Sequence, residues 1–268
     1  MTVNKSSENP KLKKRIFIVT ALAAAALIAF ATACKNGNLA NSMRLLRVEG
    51  TVSIEDSKGN NKPVMDNLKG LEDIQQRIAR YDKEAKCYIN LLPNSGKQVL
   101  KAIGVEKDPD YLKAFSTIQQ PQISYDFYPV QGKTVRGDVW YKVLDDIRAE
   151  SLRTGRPFWA YILCVPHFIY PMPTMGHLRL QCYANLAYGA QGIQYFSYST
   201  PEVTGEYDFH DGPLLRNGKK SSTYKLVKKM NAELRPVASL FWQSKVTSIE
   251  HRKCIDGSVL VSHFQKAG

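Results

Sequence analysis

Four short apolar segments recur along the chain at nearly constant spacing: KCYINLL (86–92), QISYDFY (122–128), FWAYILCV (158–165) and GIQYFSYS (192–199). Comparable points fall at Cys87, Ser124, Ala160 and Tyr195, which are 37, 36 and 35 residues apart. Such an interval holds one strand and one crossover helix. None of the four alternates strictly between apolar and polar, so each reads as a strand buried on both faces. The intervals carry helical patterns. Asp138 is placed to cap a helix with the stripe Trp140, Val143, Leu144 and Ile147, and Gly155 stands where it would end. Thr174 precedes Leu178, Cys182 and Leu186, with Gly189 beyond them, and Ser222 precedes Tyr224, Val227, Met230 and Leu234. Upstream, Leu71, Ile74, Ile78 and Tyr81 form one more stripe. At least four alternations of strand and helix predict an α/β fold with a parallel sheet and right-handed crossovers.

Prolines mark the far end of every strand: Pro93, Pro129, Pro166 and Pro201. Lacking an N–H, each stops the hydrogen-bond ladder. Beside them stand Asn90, Asn94, Asp126, Tyr128, His167, Tyr198 and Thr200. Polar and aromatic groups therefore gather at the carboxyl ends of the strands, where parallel α/β folds build their sites.

The two ends of the chain read differently. Residues 1–33 hold Lys5, Lys11, Lys13, Lys14 and Arg15, then an apolar run from Ile16 to Ala33, then Cys34. This is the layout of an export signal with a small-residue cleavage site. Cys34 directly after the cut resembles the lipidated first residue of bacterial lipoproteins, although Ala31 stands where such signals usually carry leucine. An uncleaved membrane anchor and plain secretion are the alternatives. Each places the working part outside the cytoplasm, as an outer-membrane lipoprotein or a periplasmic protein.

Removal of the signal lowers the formal charge from +13 to +9, with the basic residues dispersed along the chain. Charge alone gives no reason to expect nucleic-acid binding. Residues 34–70 read as a linker with one strand candidate, MRLLRVEGTVSIED (43–56). Residues 244–268 read as a β-hairpin, KVTSIEH and SVLVSHF around a Cys-Ile-Asp-Gly turn, and look like the start of a small β module. Cys87, Cys164, Cys182 and Cys254 show no metal-ligand spacing and are expected as buried free thiols.

NLLPN (90–94), SYDFYP (124–129), RPFWAYILCVPH (156–167), HLRLQCYANLAYGAQGIQYFSYSTP (177–201) and DFHDGPL (208–214) resemble β-galactosidase-like glycoside hydrolases of the large (β/α)8-barrel clan. Exported proteins of Bacteroides-type bacteria are the nearest likeness. The resemblance implies that residues 71–243 form a partial (β/α)8, or TIM-like, barrel whose four strands are its last four. The amino-terminal units of the barrel are expected to be missing, since eight units need about 250 residues. Open sheet edges would then pair with a second copy or be covered by the 39–70 segment.

Glycosidases of this kind use two carboxylates. In the clan one glutamate ends the fourth strand and a second ends the seventh; the matching places here read SIEDSKG and ILCVPH. Glu55 thus stands in for the acid, and the seventh strand ends without a glutamate. Asp126 is the carboxylate best placed by sequence, at the tip of its strand. The expected catalytic pair is Asp126 and Glu55. Asn90, Asn94, Tyr128, His167, Tyr198 and His210 are expected to bind substrate, with Tyr128 and Tyr198 stacking on a sugar face. Glu202, Glu206 and Asp208 lie in the loop after the last strand. No cofactor or metal is expected, and the expected partner is a carbohydrate. A truncated, inactive barrel that only binds sugar is the alternative. Phosphate loops, dinucleotide fingerprints, HExxH and GxSxG motifs are absent from the sequence.

Overall fold

A computed structural model describes residues 64–84, 88–93, 108–118, 120–205, 207–254 and 257–266. These fall into two units. The first holds helices α1 (Val64–Tyr81) and α2 (Asp108–Ser116). The predicted α1 stripe is only partly covered: Leu71 and Ile78 are half-buried, whereas Ile74 and the terminal Tyr81 stay exposed. The strand candidate at 43–56 lies outside the described residues.

The second unit contains the sheet. Strands β1 (Asn90–Leu91), β2 (Ile123–Asp126), β5 (Phe158–Leu163) and β6 (Gly192–Phe196) pair in parallel, in the order β1-β2-β5-β6. Between β2 and β5 come the two-residue strands β3 (Val130–Gln131) and β4 (Thr134–Val135), which pair antiparallel, and helix α3 (Gly137–Thr154). Helix α4 (Met175–Ala187) joins β5 to β6, and α5 (Ser222–Leu234) follows β6. Sheet order matches chain order with no reversal. A doubly wound sheet would reverse direction at a switch point, so this topology is an open segment of a (β/α)8 barrel.

Helix ends follow local chemistry. Thr174 Oγ1 accepts the His177 N–H at 3.1 Å to cap α4, and Ser221 Oγ accepts the Thr223 N–H at 3.0 Å to cap α5. Gly155 ends α3 in the left-handed region at φ 69°. Asp138 does not cap α3. Arg136 occupies that position without a side-chain bond, and Asp138 sits in the first turn, where its charge faces the positive helix end.

Alternation along the strands divides two faces. Phe158, Ala160, Ile162 and Cys164 are all buried, and Ile162 and Cys164 pack with Leu178 and Cys182 of α4 and Met230 of α5. Burial of each large apolar side chain contributes about 1.5–3 kcal/mol. Cys164 and Cys182 are free thiols, as expected, whose pKa values burial pushes up, to about 12 for Cys182. Cys87 and the Cys254 side chain lie outside the described part. The expectation of burial on both faces holds for β2 only: β1 and β5 mix buried with half-buried positions, and β6 is half-buried throughout.

On the opposite face Trp159 lies across Gly192. A Cβ at position 192 would come within 2.7 Å of the indole ring. Gly192→Ala is therefore expected to destabilise the chain by about 1–3 kcal/mol through overpacking, read as a lower urea midpoint with an unchanged slope.

The hairpin expected near the carboxyl terminus forms from β7 (Ser244–Cys254) and β8 (Gly257–Lys266), with a register shift between Val246 and Ser248. It docks on the barrel segment through Arg148 Nη2, which donates to the Val246 carbonyl at 3.0 Å, and through Tyr188 Oη and His251 Nε2, 3.1 Å apart.

Candidate active site

The strand face turned away from the helices is polar. Backbone register pairs Asn90 with Ser124, Ser124 with Trp159 and Trp159 with Gly192. One alternation further along lie Asp126, Tyr161 and Gln194. Their side chains form one hydrogen-bond chain across all four strands. Tyr88 Oη donates to Gln194 Oε1 at 3.0 Å, and Gln194 Nε2 to Ser124 Oγ at 3.3 Å. Ser124 Oγ donates to Asn90 Oδ1 at 2.8 Å, and Asn90 Nδ2 to Asp126 Oδ1 at 2.5 Å. Tyr161 Oη lies 3.4 Å from Tyr88 Oη. A half-buried network of this kind restrains the rotamers of its members, since each side chain is held by at least one partner on another strand or on Tyr88.

Asp126 ends the chain of bonds at the carboxyl tip of β2 and is 8% exposed. Burial raises its pKa from 3.8 to about 7, against the pull of hydrogen bonds from Asn90, Tyr128 and its own backbone. Burial and the nearby Asp126 charge push the Tyr128 hydroxyl up, so it remains a neutral donor. Near pH 7 the Asp126 carboxyl thus exists in both forms, the condition for giving or taking a proton.

Around this carboxyl stands an aromatic rim. The ring of Tyr128 lies 5.7 Å from Tyr170 and 6.2 Å from Phe196. His167 packs against Phe209 at 4.4 Å and Tyr170 at 4.9 Å. Its Nδ1 lies 2.9 Å from the Val165 carbonyl, which fixes that nitrogen as the donor of a neutral ring, and burial lowers its pKa. The rim is held by the loop after β6: Asp208 accepts the Phe168 N–H at 2.6 Å, and the His210 N–H donates to the Pro166 carbonyl at 3.2 Å. The Asp208 carboxylate is consequently lowered below its usual range.

Of the residues expected from sequence, Asn90, Asp126 and Tyr128 come together, and His167 joins their aromatic surround through Tyr170 and Phe196. Tyr198 does not join: it is 69% exposed, two residues past the end of β6. His210 is exposed and pairs with Asp211 at 3.0 Å, and Glu202 pairs with Arg216 at 3.3 Å. Glu55, Asn94, Glu206 and Cys34 lie outside the described residues. Tyr88, Ser124, Tyr161, Gln194, Tyr170 and Phe209 were not singled out by sequence. Ser124 and Asp126 alternate with Ile123 and Tyr125, and that two-residue period is the signal that would have found the inward face.

Where β5 ends, the residues read Leu163-Cys164-Val165. The Cys164 thiol donates to the Phe196 carbonyl at 3.3 Å, and burial holds its pKa high, so it is no nucleophile.

A sheet of this order, with a titratable carboxyl and aromatic rings at its carboxyl rim, defines a (β/α)8-barrel segment of the glycoside hydrolase type. A family model described as β-galactosidase, glycoside hydrolase family 42, matches residues 71–237, and the chain belongs to that family. Solved structures similar to it include a β-galactosidase from the psychrophilic Marinomonas ef1, at 16% identity and a TM-score of 0.47 over 66% of this chain and 27% of that one. A candidate α-L-fucosidase from Bacteroides thetaiotaomicron aligns at 9% identity and a TM-score of 0.43, over 64% of this chain and 51% of that one. The chain therefore spans about a quarter of the length of the first and half of the second. No curated protein matches.

Proposed function

We propose that this chain is an exported glycoside hydrolase that acts on β-galactoside-type bonds at the Asp126 rim, held at the outer membrane through Cys34. One observation carries the reading: a buried carboxyl, at the carboxyl end of a barrel strand, with its pKa raised to about 7. The Asp126 carboxyl would give its proton to the glycosidic oxygen as the bond from C1 to that oxygen breaks. Asn90 Nδ2 and the Tyr128 hydroxyl then stabilise the carboxylate left behind. Water adds at C1, and its proton passes to a second carboxylate; the sequence resemblance casts Glu55 as the acid, and with Asp126 in that role Glu55 would take the part of the base. Tyr128 would offer its ring to the sugar face.

A second reading has its own support. No carboxylate ends β5, where the resemblance expects one, so a rim that binds galactosides without cleaving them fits the same residues. Turnover of an aryl β-galactoside by the full chain separates the two. Hydrolysis that disappears in Asp126→Asn and in Glu55→Gln supports the enzyme. Galactoside binding without product, in wild type and variants alike, establishes the binding protein in its place.

A further inference from the structure

Helix α5 carries its charge on one side. Ser222, Lys225, Lys228, Lys229, Ala232 and Arg235 are arranged at 100° per residue within one stripe turned mainly to solvent. Lys219 and Lys220 lead into it, with Lys220 Nζ 4.6 Å above the Tyr224 ring. No carboxylate shares the stripe. Glu233, the single acidic residue of α5, is taken by Arg179 of α4 in a two-pronged pair at 2.7 and 2.9 Å. Lys225, Lys228, Lys229 and Arg235 belong to no ion pair among the described residues. Lys229 also acts on the Glu233 carboxylate, but the rest of the stripe has no opposite charge beside it among the described residues, and an anionic surface would supply one.

The segment beyond the stripe distinguishes between anionic partners. The chain continues through a 3₁₀ turn (Arg235–Val237) into α6 (Ala238–Phe241), where Leu240 is 65% and the adjoining Trp242 56% exposed. Lysines that end in an exposed leucine and tryptophan match the water–lipid boundary, where ammonium groups meet anionic headgroups and the apolar side chains enter the acyl edge. A polyanion in solution would engage the lysines and gain nothing from the other two.

We infer that the α5–α6 face docks on an anionic phospholipid surface. This contact is separate from any anchor at Cys34 and does not depend on the galactosidase reading. Removal of each lysine should weaken it roughly fivefold, and added salt should weaken it further.

The test uses the full chain with phosphatidylcholine vesicles, with and without phosphatidylglycerol, and reads acylation of each lysine by mass spectrometry. Because the readout is local, it reports on this face however the amino-terminal end is held. Lys225, Lys228 and Lys229 should be protected severalfold only when phosphatidylglycerol is present, and exposed again in high salt. Lys133, on the β3–β4 turn, should label equally throughout. Lys225→Gln with Lys229→Gln should abolish protection of Lys228, and Leu240→Ser with Trp242→Ser should reduce it. Equal labelling of α5 in both vesicles would overturn the proposal. So would protection by dextran sulfate that matches the vesicles and is unchanged in the Leu240→Ser, Trp242→Ser variant, since that outcome assigns the face to a soluble polyanion.

Discussion

Asp126→Asn should flatten the pH dependence of stability and, if the chain hydrolyses glycosides, cut turnover by about 10²–10⁴-fold. In the folded chain this carboxyl holds its proton up to about pH 7, and its ordinary value is 3.8. Between those values the native state binds more protons than the unfolded state, so stability declines as pH rises. The contribution is fully present below about pH 4 and is lost as the pH passes through 7. At about 1.4 kcal/mol per pH unit, the loss approaches roughly 4 kcal/mol. Asparagine has the same shape, still accepts from Asn90 Nδ2 through its carbonyl oxygen, and has no proton to lose. Urea midpoints at pH 4, 6 and 8 should therefore fall for the wild type and stay level for the variant, which becomes the more stable of the two at pH 8. Parallel slopes would show that Asp126 is already ionised at neutral pH and so cannot serve as the acid.

The strand-helix repeat was legible because two independent signals coincide, apolar segments about 36 residues apart and a proline at each strand end. Helix stripes were legible for the same reason. Trp140, Val143, Leu144 and Ile147 share a face at helical spacing, and all four are buried. The strands are shorter than their apolar runs, however. QISYDFY yields only Ile123–Asp126, because the chain leaves the ladder at Phe127, whose ring lies under Arg136, and Tyr128 turns to the rim before Pro129.

The inward network was the least legible part, since it depends on stagger between strands. Cys87, Ser124, Ala160 and Tyr195 are similar points in sequence, but the ladder aligns Ser124 with Asn90 and Trp159, and Trp159 with Gly192. No single-strand pattern contains that offset. Asn90 and Asp126 could be chosen as polar strand ends, whereas Tyr88, Ser124, Tyr161 and Gln194 become partners only after the register is known. Tyr198 stands apart from the rim for a related reason. It follows Phe196 by two residues, and the chain has left the sheet by then, so alternation no longer predicts its direction.

Trp140→Ala should cost about 3–5 kcal/mol, the largest loss from any single truncation in the barrel segment. Trp140 is fully buried on α3, the largest side chain so enclosed among the described residues, with Val143, Leu144 and Ile147 on the same stripe. Its indole N–H faces the Tyr125 hydroxyl without reaching hydrogen-bond geometry, and Tyr125 gives its own proton to Asn185 Oδ1 on α4. A buried donor without an acceptor costs about 1–3 kcal/mol. Trp140→Phe removes that donor together with part of the ring, so the two effects oppose each other, and the net loss should stay near about 1 kcal/mol. The difference reaches the site, because Tyr125 and Asp126 are neighbours on β2 and face opposite sides of the sheet. Loosening the helix-side anchor at Tyr125 should let β2 shift and weaken the bond from Asn90 to Asp126. Trp140→Ala is thus expected to shift the pH dependence of stability as well as its magnitude, whereas Trp140→Phe should keep the wild-type slope. Urea titrations of both variants at pH 4 and pH 8 measure this. An unchanged slope in Trp140→Ala would mean that the carboxyl is held by the network on its own face of the sheet alone.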